Sequence, residues 1–428
     1  TLQGLTPSTQ YMVKVKVTDL SGKSNFYELK VTTKANPEYI QLTTTLPVNE
    51  TIQLYIDAAP EDRKDVWIDL NGNEIKDDGE AVTTFSHQNY TLKAQTIRIY
   101  GKVTMLDCGD NQVTALDFTH NKVLSVLRAY DNPILVMRGT SELKELGLTA
   151  AAFNNNKNNL NLSELTSLNI SPNKGETTLN TAGLTNLQLL DVSQTYITSL
   201  NLSTNTELTT LKAYNSRLTI LDLSKQTKLT TLEVDYSKNI KSLDLSTNTE
   251  LTTLKADNSG LTSLDLSKQH KLTVLEIKNT PLTQLNISNC NNIKSLDLST
   301  NTELTELLAN KAGLKSLDVS KLKKLHTLKL ADCPLTKLIS SKAVPLKVVD
   351  VSYLDVVGLR GPDFDEFIAT LPARKEAKDG KITLNNGQAT ETVKKDLKAQ
   401  GWDVITVGKI DEDPYIPFPI NPKPLPKP

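Results

Sequence analysis

The 428-residue sequence contains little of what catalysis or disulfide bonding would require. It has three cysteines, four histidines and only 5% aromatic residues. We interpret Cys108, Cys290 and Cys333 as buried thiols, because they are too few and too far apart for a disulfide framework or a paired-cysteine metal site. The histidines lack metal-ligand spacing, and no nucleophile elbow, phosphate-binding loop or dinucleotide fingerprint occurs. We therefore expect no enzymatic activity.

Long apolar runs and an excess of one charge are also missing. No stretch of about 18 apolar residues occurs, so we expect no transmembrane segment. The 48 basic and 49 acidic residues almost cancel, which argues against a nucleic-acid partner. A single compact core rarely exceeds about 250–300 residues, so the length predicts several domains or an elongated repeat array.

The dominant feature is a repeated LxxLxL pattern. Its starts are Leu187, Ile197, Leu208, Leu218, Leu229, Ile240, Leu251, Leu261, Leu272, Leu282, Ile293, Leu304, Leu314, Leu325, Leu335 and Leu346. Steps of 10 and 11 residues combine into turns of 21 or 22, within the leucine-rich-repeat range of about 20–29. The sequence therefore predicts an α/β leucine-rich-repeat solenoid, predominantly β, with about 21–22 residues per turn.

The leucines of one half-repeat can be buried only if neighbouring turns pack against them. The last two leucines of the motif are two residues apart, so both point to one side of a strand. Stacked turns bury those leucines in columns. The ninth place is expected to hydrogen-bond the loop backbone; it is occupied by Asn205, Asn248 and Asn301, and by the thiols of Cys290 and Cys333. Cys108 instead replaces the third leucine, in VTMLDC.

Segments such as LTSLDLSKQHKLTVLEI and IKSLDLSTNTELTTLKADNSGLTSLDLS resemble the short-repeat, internalin-like surface proteins of bacteria. The resemblance covers the array, residues 97–354, and implies two half-repeats per turn and a concave binding face. This sequence departs from the cysteine-ladder variety, because its ladder place is mostly Asn, Ser or Gln. The resemblance also implies an extracellular or surface-anchored bacterial protein.

Two half-repeats of the same type follow one another in the array. LTQLNIS at Leu282 is followed by IKSLDLS at Ile293, although this type normally alternates with LTTLKA-like half-repeats. If each closed turn has two sides, the type must change sides there. We predict such an exchange.

The ends of the array carry different patterns. Residues 1–35 resemble part of a fibronectin type III module (LTPSTQY, DLSGKS, TTK), and we interpret them as a fragment of a domain rather than a lone hairpin. Residues 36–96 are predicted to form a β N-terminal cap, and FNNNKNNL at 153–160 an irregular polar loop. Residues 355–410 are predicted to form a C-terminal cap with helices near 363–370 and 390–400 and a strand at 381–384. Residues 411–428 form a proline-rich tail.

One segment has the spacing of calcium ligands. Side-chain oxygens occupy places 1, 3, 5, 9 and 12 of an EF-hand-type loop, and a backbone carbonyl occupies place 7. In order, these residues are Asp69, Asn71, Asn73, Asp77 and Glu80, with Ile75 as the carbonyl. Place 6 holds Glu74 instead of glycine, and no helices flank the loop. We expect a structural Ca²⁺ here; the alternative is a metal-free β-hairpin with an Asn-Gly turn.

The array also offers surface side chains for contacts. We select Arg128 with Tyr130 and Lys212 with Tyr214 as ligand-binding candidates, because Arg and Tyr are favoured at interfaces; ordinary surface is the alternative. Opposite charges at the fifth place predict a structural ladder through Lys212, Glu233, Lys255 and Glu276. Asp222, Asp244, Asp265 and Asn286 form the equivalent acidic row, which we interpret as solvated surface rather than a functional stripe.

The leading functional hypothesis is a monomeric interaction or adhesion module that binds a protein or glycan at a cell surface. Half-repeats at Ile197, Leu218 and Leu261 have uniform polar rows, whereas the others vary, which favours binding. The alternative is a structural spacer or cell-envelope scaffold without a specific ligand. A third hypothesis places hydrolase activity in a domain outside this sequence.

Overall fold

A computed structural model describes residues 10–32, 37–172, 175–352, 362–374 and 380–408. The protein is a predominantly β solenoid of about 14 turns with about 8% helix, as the repeat spacing predicts. The chain divides into two compact units, residues 1–232 and 233–428, which are described separately. The predicted proline-rich tail, 411–428, and residues 355–361 of the predicted C-terminal cap lie outside the described residues.

The first described element is an antiparallel hairpin. Strand β1 (Gln10–Thr18) pairs with β2 (Ser24–Thr32) in a two-stranded sheet. The Asp19 carboxylate accepts hydrogen bonds from the backbone N–H groups of Ser21 and Lys23 and so fixes the turn. Two strands do not define a sandwich domain, so the fibronectin resemblance stays a prediction.

Antiparallel strands precede the repeats. They are β3 (Tyr39–Thr44), β4 (Thr51–Ala58), β5 (Trp67–Asp69), β6 (Gln88–Thr91) and β7 (Thr96–Tyr100), followed by the first repeat strands β8 (Val103–Asp107) and β9 (Val113–Phe118). Strand β3 pairs with β9, and β4 pairs with β8. Their inward residues, including Ile40, Leu42 and Leu54, are fully buried. These strands therefore cover the first apolar layer, as a solenoid requires.

The repeats of the first unit stack in parallel. Their strands are β10 (Val126–Arg128), β11 (Val136–Gly139), β12 (Glu145–Gly147), β13 (Ser167–Asn169), β14 (Leu189–Asp191) and β15 (Thr210–Lys212); β16 (Thr231–Glu233) lies at the division between the units. The central leucines align in one register: Leu127, Leu146, Leu168, Leu190 and Leu211. All five are 0% exposed. The predicted leucine column is confirmed.

The prediction of an irregular polar loop at 153–160 is wrong. Helix α1 (Ala150–Asn156) occupies this part of the chain and continues into a 3₁₀ turn, Lys157–Asn159. The Thr149 hydroxyl caps the helix by accepting from the Ala152 N–H, and Phe153 is fully buried. Tertiary packing of this apolar side overrides the poor helix propensity of asparagine.

The second unit is also built of parallel repeat strands. Its repeat strands are β17 (Thr253–Lys255), β18 (Ser263–Asp265), β19 (Val274–Glu276), β20 (Gln284–Asn286), β21 (Glu306–Leu308), β22 (Ser316–Asp318), β23 (Thr327–Lys329), β24 (Lys337–Ile339) and β25 (Val348–Asp350). We call LTTLKA-like half-repeats variable and SLDLS-like half-repeats uniform. The uniform strands β18 and β20 pair with each other, and β20 then pairs with the variable β21. The predicted exchange of sides is confirmed.

The ninth-place residues bind the loop backbone as predicted. The Asn205 amide donates to the carbonyl oxygens of Thr181 and Leu184, at 3.2 and 2.9 Å. The thiol of Cys290 lies 3.2 Å from the Leu266 oxygen, and that of Cys333 lies 2.8 Å from the Ala309 oxygen. A thiol therefore replaces the amide donor at two places of the ladder.

The final described elements form a strand-helix-strand unit with an additional helix. They are α2 (Pro362–Thr370), β26 (Lys381–Asn385), α3 (Glu391–Ala399) and β27 (Asp403–Val407). Both predicted helices and the predicted strand are confirmed. Strand β26 extends the sheet of β25 in parallel. Trp402 is fully buried, and its indole N–H donates to the Pro372 oxygen at 3.1 Å.

Candidate functional site

The loop from Asp69 to Glu80 closes around its two terminal carboxylates. Asp69 is 0% exposed and Glu80 is 1% exposed. The Asp69 carboxylate accepts from the backbone N–H groups of Gly72, Asn73 and Glu74. The Glu80 oxygens accept from the N–H groups of Leu70 and Asp77, each at 2.9 Å. The first and the last residue of the predicted ligand set therefore both fix the conformation of the loop, because their carboxylates accept hydrogen bonds from its backbone.

The middle of the loop has the backbone turn that a calcium loop needs. Glu74, at place 6, adopts a left-handed conformation with φ of 60°, although glycine usually occupies that place. Its carboxylate makes a salt bridge with Arg98 on β7, which raises the pKa of the arginine. The salt bridge therefore joins the left-handed residue of the loop to the N-terminal sheet.

The remaining predicted ligands converge on Asp77. The side-chain N–H groups of Asn71 and Asn73 donate to one Asp77 oxygen, at 2.7 and 2.8 Å. Asp69, Asp77 and Glu80 have no ion-pair partner among the residues that the structure describes. The flanking residues pair through a bridge between Trp67 and Ala81, but the segment between them is a compact loop rather than a two-residue Asn-Gly hairpin.

Arg128 is the last residue of strand β10, and Tyr130 lies in the turn that follows it. Arg128 Nε is 2.6 Å from Glu145 Oε1 on the next turn, and this pairing raises the pKa of the arginine. Tyr130 is half-buried, which raises the pKa of its hydroxyl. A Cβ at Gly147 would lie 2.3 Å from the Tyr130 ring, so the glycine permits this ring position. The structure therefore brings Arg128 and Tyr130 together in a fixed arrangement.

Lys212 and Tyr214 occupy the equivalent places farther along the same unit. Lys212 is half-buried and pairs in register with Asp191. Tyr214 is 38% exposed, and its backbone N–H donates to the Ser193 hydroxyl at 3.2 Å. Both candidate pairs therefore present a basic and an aromatic side chain on variable half-repeats.

The uniform half-repeats have a different surface. Their fifth-place carboxylates each accept a hydrogen bond from the backbone N–H of the serine two residues later, at 2.9–3.0 Å; the pairs are Asp222 with Ser224, Asp244 with Ser246 and Asp265 with Ser267. This bond lowers the pKa of Asp222. Local turn formation thus accounts for the row of aspartates.

One group of acidic residues was not selected from the sequence. Among the described residues, Asp235, Asp257 and Glu276 form a group in which one carboxylate oxygen of each residue lies within 4.8 Å of one oxygen of each of the other two. Burial and then repulsion from Asp257 raise the pKa of Asp235. The signal was present in the sequence: aspartate occupies the seventh place in two successive variable half-repeats, and Glu276 occupies the fifth place in the next.

No helix in the described parts of the chain is both long and apolar enough to cross a membrane.

Solved structures similar to this chain share 24% or less of its sequence. No protein-family model matches the chain, and no curated protein matches it. The functional domain of InlJ from Listeria monocytogenes, which includes a cysteine ladder, is similar at 24% identity with a TM-score of 0.31; the match covers 67% of this chain and 76% of that one. The internalin InlF from the same species is similar at 20% identity with a TM-score of 0.28, over 55% and 82% of the two chains.

A plant protein is also similar. The ectodomain of the Arabidopsis thaliana receptor kinase GASSHO1/SCHENGEN3, solved in complex with CASPARIAN STRIP INTEGRITY FACTOR 2, has 15% identity and a TM-score of 0.33; the match covers 72% of this chain and 42% of that one. The fold of this chain is established by its own geometry, namely parallel strands 21 or 22 residues apart with their central leucines in register. It is a leucine-rich-repeat solenoid, and similar solved structures include internalins of Listeria.

Proposed function

We propose that the protein is a non-enzymatic interaction module at a bacterial cell surface, and that its repeats bind a partner protein or a glycan. The main support is the contrast between half-repeats. Variable half-repeats of the first unit hold basic and aromatic side chains, such as Arg128 and Tyr130, in positions fixed by neighbouring turns, whereas uniform half-repeats hold Asp or Asn and Ser at these places. Fixed side chains lose less conformational entropy on binding, which favours recognition.

The binding experiment compares two surfaces of the first unit. The purified chain is applied in solution to a glycan array. In a second format it is immobilised and exposed to surface proteins of host and bacterial cells. We expect Arg128→Ala/Tyr130→Ala and Lys212→Ala/Tyr214→Ala to reduce capture of the bound ligand at least about tenfold, the size of an interface hot spot.

The matched control is Ile220→Ala/Lys225→Ala on a uniform half-repeat, where both side chains are exposed. Capture by the control should equal that of the unmodified chain. If all variants capture equally, or if the unmodified chain captures nothing, the alternative of a structural spacer or cell-envelope scaffold replaces this proposal.

We also propose that the 69–80 loop holds a structural Ca²⁺. The ligands would be the side-chain oxygens of Asp69, Asn71, Asn73, Asp77 and Glu80, with the Ile75 carbonyl. The fit rests on two buried carboxylates without a cationic partner and on the left-handed backbone at Glu74. Hard oxygen donors of this number suit Ca²⁺. The ion would stiffen the loop that joins β5 to the rest of the N-terminal sheet.

Titration calorimetry with CaCl₂ tests this site. We expect binding in the range of about 10⁻⁴–10⁻³ M, as for extracellular calcium modules, and no binding by Asp69→Ala/Glu80→Ala. Because those two side chains are buried, Asp77→Asn provides a milder test, and Asp78→Asn, at a place that supplies no ligand, is its matched control. Equal heats for Asp77→Asn and Asp78→Asn would contradict the proposed ligand set.

A further inference from the structure

A cavity of about 270 Å³ opens on the second unit where the half-repeats exchange sides. Strands β18, β20 and β21 line it. The polar lining includes Asp265, Gln284, Asn286 and Glu306, and Leu308 provides an apolar wall. The central leucines of β18 and β20 form its floor and are almost fully buried.

The exchange of sides explains why the cavity lies there. Strands β18 and β20 belong to uniform half-repeats, whose fifth places hold the short side chains of Asp265 and Asn286. Strand β21 is the first variable strand in this sheet, and Leu308 occupies its fifth place. The surface column therefore changes from short polar side chains to a longer apolar one, and the step leaves a depression between them.

The cavity carries negative charge. Asp265 and Glu306 line it without any Lys, Arg or His. Neither carboxylate has an ion pair within the described parts of the chain. One Asp265 oxygen accepts from the Ser267 N–H at 2.9 Å, and one Glu306 oxygen accepts from the Gln284 amide at 3.3 Å. Each carboxylate therefore has a second oxygen that can accept from a ligand.

The nearest basic residue in the same surface column does not belong to the lining. Lys329 on β23 follows Leu308 in register, and Asp350 on β25 follows Lys329. Lys329 thus lies between an apolar residue and another carboxylate. The charge of Lys329 is therefore balanced by Asp350. The two carboxylates that line the cavity have no cationic neighbour in the lining, so they attract a cation.

We propose that this cavity receives an arginine side chain of a protein partner, an inference that rests on the proposed binding function. A guanidinium group presents five N–H donors in one plane and remains charged at all physiological pH values, so its charge and its donors suit a cavity that two carboxylates line. Its aliphatic stem would pack on Leu308, because long basic side chains bury their methylene groups against apolar surface.

A pair of peptides tests the proposal directly. The probe is the blocked pentapeptide Gly-Ser-Arg-Ser-Gly, and the same peptide with citrulline in place of arginine keeps the shape but removes the charge. Binding is followed by NMR of the full-length chain with labelled leucine methyl groups. We expect shifts at the Leu308 methyls with the arginine peptide and at least about tenfold weaker binding of the citrulline peptide.

Variants identify the site. Asp265→Asn/Glu306→Gln should weaken binding of the arginine peptide at least about tenfold. Asp318→Asn is the matched control: it lies in the uniform strand β22, and its carboxylate accepts from the Ser320 N–H at 2.8 Å, as Asp265 does from Ser267. It should bind like the unmodified chain.

Several results would overturn the inference. They are equal binding of both peptides, unchanged binding by Asp265→Asn/Glu306→Gln, the absence of Leu308 shifts at millimolar peptide, and the same shifts with CaCl₂ or a neutral disaccharide alone. If the peptide fails but partner capture persists, only this inference falls. If the peptide binds but no partner is captured, the proposed function falls instead.

Discussion

Equivalent residues in successive turns reveal positions where one side chain suits the backbone less well than its counterparts. The eighth place of the variable half-repeats is left-handed, with φ of 49° at Asn215 and 55° at Asn258. Asparagine tolerates this conformation better than most residues. Tyr236 occupies the same place with φ of 59° and is 45% exposed. Its backbone therefore carries a cost that the asparagine turns avoid.

Replacing Tyr236 with asparagine is expected to stabilise the protein. Tyr236→Asn should raise the free energy of unfolding by about 1 kcal/mol, because the left-handed conformation is disfavoured for an ordinary residue by roughly that amount. Urea denaturation followed by circular dichroism measures the change. Tyr214→Asn is the control, since Tyr214 is also partly exposed but lies outside the left-handed positions. An equal gain from both variants would show that the backbone conformation is not the cause.

Asp235 makes stability depend on pH. Because burial and the neighbouring carboxylates raise its pKa in the folded state, its contribution is most favourable below the ordinary value of 3.8 and is lost as pH rises through the folded pKa. Asp235→Asn should therefore stabilise the chain at neutral pH by a few tenths of a kcal/mol, the size of a cross-strand charge effect.

That gain should disappear near pH 3, where Asp235 is protonated. Thermal unfolding at the two pH values measures it, and Asp222→Asn is the comparison, since the pKa of Asp222 is lowered and its amide variant should bring no gain at neutral pH. A gain for Asp235→Asn that is the same at both pH values would contradict the ionisation argument.

At the scale of the single element, two glycines lie against turns that contain one extra residue. Eleven rather than ten residues precede the uniform half-repeats at Ile240 and Ile293. In the following turns, a Cβ at Gly260 would lie 2.1 Å from the Lys238 carbonyl oxygen, and one at Gly313 would lie 2.0 Å from the Asn291 oxygen. The extra residue brings its carbonyl against the next turn, and only glycine leaves room for it.

Gly313→Ala and Gly260→Ala are each expected to destabilise the protein by about 1–3 kcal/mol, the usual cost of overpacking. Gly109→Ala is the control, because a Cβ there would meet its nearest neighbour at 3.4 Å. Chemical denaturation of the three variants gives the comparison. A loss for Gly109→Ala as large as that for the other two would mean that general glycine replacement, not the inserted residue, sets the cost.

Elements with a strict period were predictable from the sequence, and elements set by distant contacts were not. The spacing of Leu190 and Leu211, each in the middle of an LxxLxL motif, predicted a buried column because the strand period fixes which side each leucine faces. Helix α1 was missed because its asparagines favour a loop, whereas the burial of Phe153 depends on neighbouring turns. The calcium-type ligand spacing at Asp69 was readable, but the Arg98 salt bridge with Glu74 was not, since it joins residues on different elements.

The cavity was also beyond sequence reasoning, although its cause was not. The order of half-repeats at Leu282 and Ile293 predicted an exchange of sides. Which side chains then become neighbours depends on register, and the structure places Asp265, Asn286 and Leu308 in one column. The exchange of sides was therefore predictable from the sequence, whereas the side chains that line the cavity were visible only in the structure.

At the scale of the whole molecule, a solenoid is held together by contacts between adjacent turns. A destabilising substitution should therefore increase local opening most in the turns next to it. The three thiols report on this behaviour. Cys108, Cys290 and Cys333 are fully buried, and burial raises the pKa of Cys290 and of Cys333 to about 12. Only the thiolate reacts with disulfide reagents, so labelling requires local opening of the turn that holds each cysteine.

Trp402→Ala is therefore expected to accelerate labelling of Cys333 much more than that of Cys108. The substitution removes a fully buried ring over which Arg374 lies at 5.0 Å, and truncations of this kind cost about 3–5 kcal/mol. Cys333 belongs to a repeat close in sequence to the C-terminal strands, whereas Cys108 belongs to the first repeats of the other unit. Mass spectrometry after timed exposure to a thiol reagent gives the rate at each cysteine, and Trp402→Phe should restore part of the protection. Equal acceleration at Cys108 and Cys333 would instead mean that the chain opens as one cooperative body, so that damage at one end is not confined to neighbouring turns.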